Sequence, residues 1–529
     1  MTQIMSKIDN FWFHMDQPTN LMIISGVLYF DEPLDFERVR KILEKRFLIF
    51  DRFRKKVVKP ITGVGLPVWE DDKNFDIRSH LCRIALPSPG DKSALQLMVS
   101  DLLSQPLDES KPLWKIWVID NYGSGSALFT RIHHCIADGI ALIHVLLSLT
   151  DTEPDANFSD EPTHPKKKIK KTKPQSLSFS QYTQQIQKKL NDIKSEGNTW
   201  IANIKEQIPN LNEAIEQAMK LIRIGLETSA TLTKHIISPS DTDSSFKGEV
   251  KVRKCAAWSY PIPVTMIKTI GQSVNGTVND VLIGVVTGAL RRYLQSKNDP
   301  LCDRELKVAI PVNVRKPGKE FKLGNNFSLI YLQLPVNIED PVMRLKEVKR
   351  RMDHLKESSD VMAAYAGLSL LGLIPERLAK HSAHFLANKA TAVLTNVPGP
   401  RQAIYFAGKQ VCNMMFWVPT TGSVGLGISI ISYNGEVTLG IASDEHLVPD
   451  PQALLDFFKQ EFDEFWTLVQ TGKIVQEPLV INDRFQELKA KVRAQKEDEL
   501  FPPFDDSEHS IRDTIQDGIA EEINSDKAA

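Results

Sequence analysis

The chain has 529 residues, 42% of them hydrophobic, enough to bury a large core. A length of this kind predicts two domains of roughly 200 to 250 residues each and excludes a lone small binding module. Lysine plus arginine (65) nearly cancels aspartate plus glutamate (66), so no whole-molecule field draws the protein to nucleic acid, and none is expected as a partner.

The opening "MTQIMSKIDNFWFHMDQPTN" lacks a basic start, an apolar centre and a small-residue cleavage site, so a cytoplasmic protein is expected. Residues 1–150 read as a mixed α/β domain: a strand at 21–30, a helix at 35–47, then "KIWVIDNYGSGSALFTRIHH", whose β-prone runs predict antiparallel strands joined by a loop at 121–126. His133 and His134 end the second of these strands. After Asp138 and Gly139 the run "IALIHVLLSLT" is apolar on nearly every face, as a buried helix would be, with Asp138 at the N-cap position.

Residues 151–249 differ in composition. Six of the ten residues from Pro165 to Pro174 are lysines, a linker signature, and the apolar spacing that follows, including Ile186, Leu190 and Ile193, predicts amphipathic crossover helices. The second half, 250–475, opens with "TVNDVLIGVVTGALRRYL", where Thr277 and Asn279 are candidate caps. Strands "LKVAIPVNV" and "FSLIYLQLPV", the charged helix "PVMRLKEVKRRMDHLKE" and a hairpin turning at Asn434-Gly435 then follow. The apolar stretch 361–374 is 14 residues long, too short to span a bilayer; it reads as a core helix or an apolar entrance at a lipid surface. From 476 on an extension runs into an acidic tail, with eleven acidic and three basic residues from Lys496 to the end, for which no packed core is expected.

The chemistry concentrates in "TRIHHCIADGIAL", residues 130–142. Adjacent strand residues point to opposite faces, so His133 and His134 have different tasks: one faces a cleft and the other turns into the structure. A neutral imidazole is the side chain best suited to take a proton near pH 7. Asp138 either orients that imidazole or holds the loop through a salt bridge, and Gly139 permits a tight turn with close approach of another group. Two rival readings are a metal site of His133, His134, Asp138 and His144, disfavoured because neighbouring strand histidines diverge, and a Cys135 nucleophile, which nothing else marks. The five cysteines, Cys82, Cys135, Cys255, Cys302 and Cys412, show no C-x-x-C spacing and read as reduced thiols.

"HHCIADG" resembles the HHxxxDG motif of the CoA-dependent acyltransferase superfamily. "KPLWKIWVID", "TVNDVLIGVVTGALRRYL", "AIPVNVRKPG" followed by "LGNNFS", "LTNVPGP" and the closing "VGLGISIISYNGEVTLGIASDEHLVPD" narrow the likeness to the bacterial wax ester synthase/diacylglycerol acyltransferases, over about residues 5–472. The resemblance implies an α/β (α+β) fold of two chloramphenicol-acetyltransferase-like domains, each a mixed, mainly antiparallel sheet with helices, joined by a helical crossover around a central channel. It implies His134 as general base, with His133, Asp138 and Gly139 in support and Asp138 paired to an arginine the sequence does not single out. Acyl-CoA enters as substrate, with no metal and no cofactor, and the acceptor is diacylglycerol or a long-chain alcohol; the protein then sits peripherally on the inner membrane or on lipid inclusions. Asn279 is a candidate oxyanion donor with helix capping as its alternative, and Asp280 is expected to hold local structure. Pro112, Leu113 and Trp114 line the acyl channel, form a domain contact or pack the core; Asn396 to Pro400 read as a turn, with a substrate-side loop as the alternative. Two alternatives stay open: an acyltransferase for another hydroxyl, such as a glycolipid or polyketide alcohol, and a non-catalytic lipid-inclusion protein.

Overall fold

Alternation of β-branched and aromatic residues in the first 150 positions produces strands, four of which share one sheet, and the chain's second half contributes an edge to it. The computed structural model describes residues 2–60, 65–154, 244–315, 323–357, 361, 364–365 and 387–473. The lysine run, the crossover helices, most of the 361–374 stretch and the extension with its acidic tail lie outside the described residues.

From edge to edge the first sheet runs Asn413–Trp417, Ile23–Phe30, Gly125–His133, Trp114–Tyr122 and Leu81–Ala85. Only its last pairing is parallel. The hairpin expected at 121–126 is tighter than its composition suggests. Only Gly123 and Ser124 separate the strands, because Asn121 and Gly123 adopt left-handed backbone at φ 63° and 56°.

The second sheet runs Phe327–Leu334, Leu306–Asn313, Ala392–Pro398, Leu426–Tyr433, Glu436–Asp444 and Lys254–Trp258, with Ile262–Pro263 also paired to Glu436–Asp444. Its pairings are parallel on both sides of Ala392–Pro398 and antiparallel elsewhere. Asn434 and Gly435, at φ 47° and 82°, form the two-residue turn predicted there, since both central positions of such a turn need positive φ. The stretch expected to be a turn at 396–400 begins instead as the end of strand Ala392–Pro398, whose Asn396 to Pro398 pair with Ile430 to Ser432. That pairing satisfies their backbone, and the chain turns only after it.

Helix Val278–Ser296 packs into the second core through Val281, Ile283, Val285 and Leu290. Its cap is Thr277, whose hydroxyl accepts from the Asp280 amide while the Asp280 carboxylate accepts from the Thr277 amide, a reciprocal box. Asn279 is therefore not the cap. Among the described residues, no helix is long and apolar enough to cross a membrane.

Candidate active site

Strand Gly125–His133 ends where its backbone is still paired: Ile23 faces His133, and the His134 amide donates to the Met22 carbonyl at 2.7 Å. His134 lies one residue past the strand. The turn that follows leads into helix Gly139–Leu149, capped by Asp138, whose Oδ1 accepts from the Ala141 amide at 3.1 Å. Gly139 has no conformational need to be glycine: a Cβ there would meet only Val397 Cγ2, at an ordinary 3.7 Å. The residue that does need it is Gly324, with φ at +109°, which lets its carbonyl turn toward Arg315 and the Asp138 amide.

The two histidines have opposite tautomers, assigned from their neighbours. His133 Nδ1 faces the Cys135 amide at 3.1 Å, a group that can only donate, so Nδ1 accepts and the proton sits on Nε2, toward Asp16 at 3.7 Å. His134 Nδ1 lies 2.8 Å from Asn325 Oδ1. The Asn325 amide cannot be reversed, because its Nδ2 already donates to Asp9 Oδ1 at 2.8 Å and to the His134 carbonyl at 2.7 Å. Its oxygen thus faces the ring, His134 carries its proton on Nδ1, and the Nε2 lone pair is free for chemistry. The two rings thus present different nitrogens: Nδ1 of His133 accepts within its own turn, and Nε2 of His134 is the unprotonated nitrogen of the second ring.

Asp9 anchors this arrangement from helix Lys7–His14. Its Oδ1 also accepts from the Asn325 amide at 3.1 Å, and its Oδ2 pairs with Arg52 Nη1 at 3.1 Å. The same Arg52 nitrogen donates to the Ile136 carbonyl at 2.8 Å, tying the turn after His134 to the N-terminal helix. Trp12, one helical turn on, stacks on the His134 ring at 4.7 Å, and Phe327 lies at 5.3 Å. With 6% of its surface exposed among these rings, His134 loses the hydration that would stabilise its charged form. Burial pushes its pKa down to about 4, against a smaller upward pull from Asp138.

The arginine that pairs with Asp138 is Arg315. Its Nη1 reaches Asp138 Oδ1 at 2.6 Å, with both side chains buried, and its Nη2 donates to the Gly324 carbonyl at 2.8 Å. Asp138 Oδ2 accepts from the Asn326 amide at 2.9 Å. One carboxylate thus caps a helix of the first half and gathers the loop and an arginine of the second.

The other candidates fall elsewhere. Asn279 Oδ1 accepts from Asn396 Nδ2 at 3.1 Å, which joins the "ND" and "NVPGP" segments to each other. Leu113 and Trp114 are core residues. The Trp114 indole packs between Phe47 and His80 and donates to the Phe53 carbonyl at 2.8 Å, so packing rather than a channel wall accounts for the pair. Pro112 adjoins them and its carbonyl accepts from the Trp114 amide. Burial raises the Cys135 thiol well above its ordinary pKa, which removes the thiolate a nucleophile needs. Among the described residues, no group of three His, Cys, Asp or Glu side chains is placed to hold a metal ion.

Asn325 predicts its own test. Asn325→Ala frees the ring to take either tautomer and is expected to lower kcat about tenfold or more with little change in KM, because only the proton-accepting geometry is affected. Asn325→Gln should recover part of the loss if its longer amide can present the same oxygen. A kcat unchanged in Asn325→Ala would show that another group sets the tautomer.

Residues 5–282 match the wax ester synthase/diacylglycerol acyltransferase catalytic domain, and residues 323–465 match the C-terminal domain of that family. A putative diacylglycerol O-acyltransferase of Mycobacterium tuberculosis is 25% identical over 483 residues, covering 87% of this chain and 89% of that protein. O-acyltransferase WSD of Acinetobacter baylyi is 27% identical over 419 residues, covering 75% and 82%. The wax ester synthase/diacylglycerol acyltransferase structure from Marinobacter aquaeolei superposes with a TM-score of 0.62 at 19% identity, covering 88% of this chain and all of that one, and so shares its fold. With both of its domains matched in order, and with the HHxxxDG motif inside the first, the chain belongs to the wax ester synthase/diacylglycerol acyltransferase family and is an O-acyltransferase of that type.

Proposed function

We propose that the protein transfers a long-chain fatty acyl group from acyl-CoA directly to diacylglycerol or a long-chain alcohol, making triacylglycerol or wax ester, with His134 as the general base. The observation that carries this reading is the fixed tautomer of His134, with Nε2 unprotonated in a site from which water is largely excluded. An alcohol near pKa 16 is a weak nucleophile. Nε2 takes its proton as the oxygen attacks the thioester carbonyl, and the resulting tetrahedral oxyanion collapses by expelling CoA, whose sulfur receives the proton back from the imidazolium. No acyl-enzyme forms and no metal or redox cofactor takes part. Burial adds selectivity, because a site that holds little water favours a lipid hydroxyl over hydrolysis of the thioester. Such acceptors partition into bilayers and lipid inclusions, so the enzyme works in the cytoplasm, peripherally at such a surface.

The test is to incubate purified protein with palmitoyl-CoA and either hexadecanol or diacylglycerol, following CoA release with a thiol reagent and the product by thin-layer chromatography. Acceptor-dependent release with ester formation is expected; release without ester, or none with either acceptor, would overturn the reading.

The pH profile follows from the depressed imidazole. A base with a pKa of about 4 stays unprotonated down to about pH 5, so kcat should be flat from pH 8 to about 5 and fall only below that. A profile already halved near pH 6.5 would place the working base in water. Stability takes the same sign: the unfolded chain binds a proton near pH 6.5 that folded His134 refuses, so this contribution is present above that pH and is lost as pH falls toward 4.

A further inference from the structure

Three neighbouring strands of the first sheet place Trp417, Ser25 and Arg131 on one rung. Trp417 pairs with Ser25, and Ser25 with Arg131. Directly opposed residues of antiparallel strands present their side chains to the same face, so these three stand side by side. All three line one cavity of about 50 Å³, whose far wall comes from the second half of the chain through Val252, Lys254 and Asp444.

What they bring to that cavity is donors without acceptors. Arg131 is 1% exposed, Trp417 1% and Ser25 0%, yet among the described residues Arg131 Nε, Trp417 Nε1 and Ser25 Oγ have no hydrogen-bond partner. Arg131 donates from Nη2 to the Leu103 carbonyl at 3.2 Å. The nearby carboxylates are committed: Asp444 accepts from Lys254 Nζ and the Lys251 amide, both at 2.7 Å, and Asp16, which acts on Arg131 from a distance, accepts from the Met22 amide. Burial lowers the guanidinium to about 10, against a smaller upward pull from Asp16, as expected of a cation that has lost more in hydration than its distant counter-charge returns. A buried, uncompensated charge is costly, and native structures compensate it with a partner ion or hydrogen bonds.

We propose that this rung is a binding site for a compact oxyanion, a carboxylate or a phosphate, gripped by Arg131 and completed by the Ser25 hydroxyl and the Trp417 indole. The chemistry of the donors sets the class: a guanidinium offers a planar fork that matches two oxygens of one anion, and the hydroxyl and indole N–H supply single donors beside it. The volume sets the size. A cavity of this volume holds roughly three or four water molecules, enough for a carboxylate or phosphate group. The bound anion would link the first sheet to the wall contributed by Lys254. The site does not depend on which acceptor the enzyme acylates.

The experiment is a thermal melt of the full-length protein titrated with sodium acetate or sodium phosphate, ionic strength being held constant with sodium perchlorate. A specific site gives a saturable rise in Tm, whereas general salt stabilisation is linear and common to all variants. Saturation is expected in wild type with acetate, phosphate or both, and the arm that saturates names the anion. Trp417→Phe and Ser25→Ala should each move the half-saturation point about tenfold higher, the loss of one hydrogen bond to a charged group. Arg131→Met should abolish saturation. If that variant does not fold, the two milder ones decide. A linear response in wild type, or half-saturation unmoved in Trp417→Phe and Ser25→Ala, would overturn the proposal.

Discussion

His134→Ala is expected to lower kcat for CoA release by about 10²- to 10⁴-fold, the range a positioned general base contributes, while the protein stays folded. The Nδ1 proton of His134 is held by Asn325 and its ring is stacked on Trp12, so the substitution removes a preset lone pair rather than a mobile side chain. His133→Ala acts differently. Its ring accepts from the Cys135 amide and faces Asp16 on the other side of the chain, so its loss should weaken the turn and lower activity less. The pair is compared by single-turnover CoA release alongside circular dichroism. Equal turnover in wild type and a folded His134→Ala would remove His134 from the chemistry.

The largest loss of stability is expected at Asp138. Its carboxylate caps helix Gly139–Leu149, pairs with Arg315 and accepts from the Asn326 amide, all with little exposure to water. Truncating one partner of a buried ion pair leaves the other charged and unsolvated, so Asp138→Ala should cost about 3–5 kcal/mol in chemical denaturation. Asp138→Asn keeps an oxygen for the helix cap and should cost less. Combined with Arg315→Met it should be less damaging than the sum of the two single changes, because both act on the same ion pair. A loss under about 1 kcal/mol for Asp138→Ala would mean that the pair contributes little to the folded state.

Much of the local architecture could be read along the chain. The spacing of Asp138 before an apolar run marks a helix cap, Thr277 and Asp280 stand at capping-box distance, and Asn434-Gly435 announces a hairpin; each is present. These features depend on residues a few positions apart, whose geometry the backbone sets by itself. Asp9 shows the limit of such reading. It follows Ser6 at the same capping distance, and Ser6 does accept from its amide, but this local pattern hides a buried carboxylate that holds Asn325, 316 residues away.

The family could be named from "HHCIADG" and the motifs around it, because each is written in consecutive residues, and the same letters nominate His134 as the candidate base. Its supports could not. Arg315 lies 177 residues from Asp138, and Asn325 lies 191 from His134; both sit in segments that carry the family likeness, "AIPVNVRKPG" and "LGNNFS", but that likeness does not say which side chain each one meets. Folding selects them by burying them. Once water is excluded, a guanidinium must find a carboxylate and an amide must find both a donor and an acceptor, and only the packing of the two halves decides which residues meet. The same selection moved Trp114 into the core, left Asn279 bonded to Asn396, and closed the cavity around Arg131 from several segments far apart in the chain.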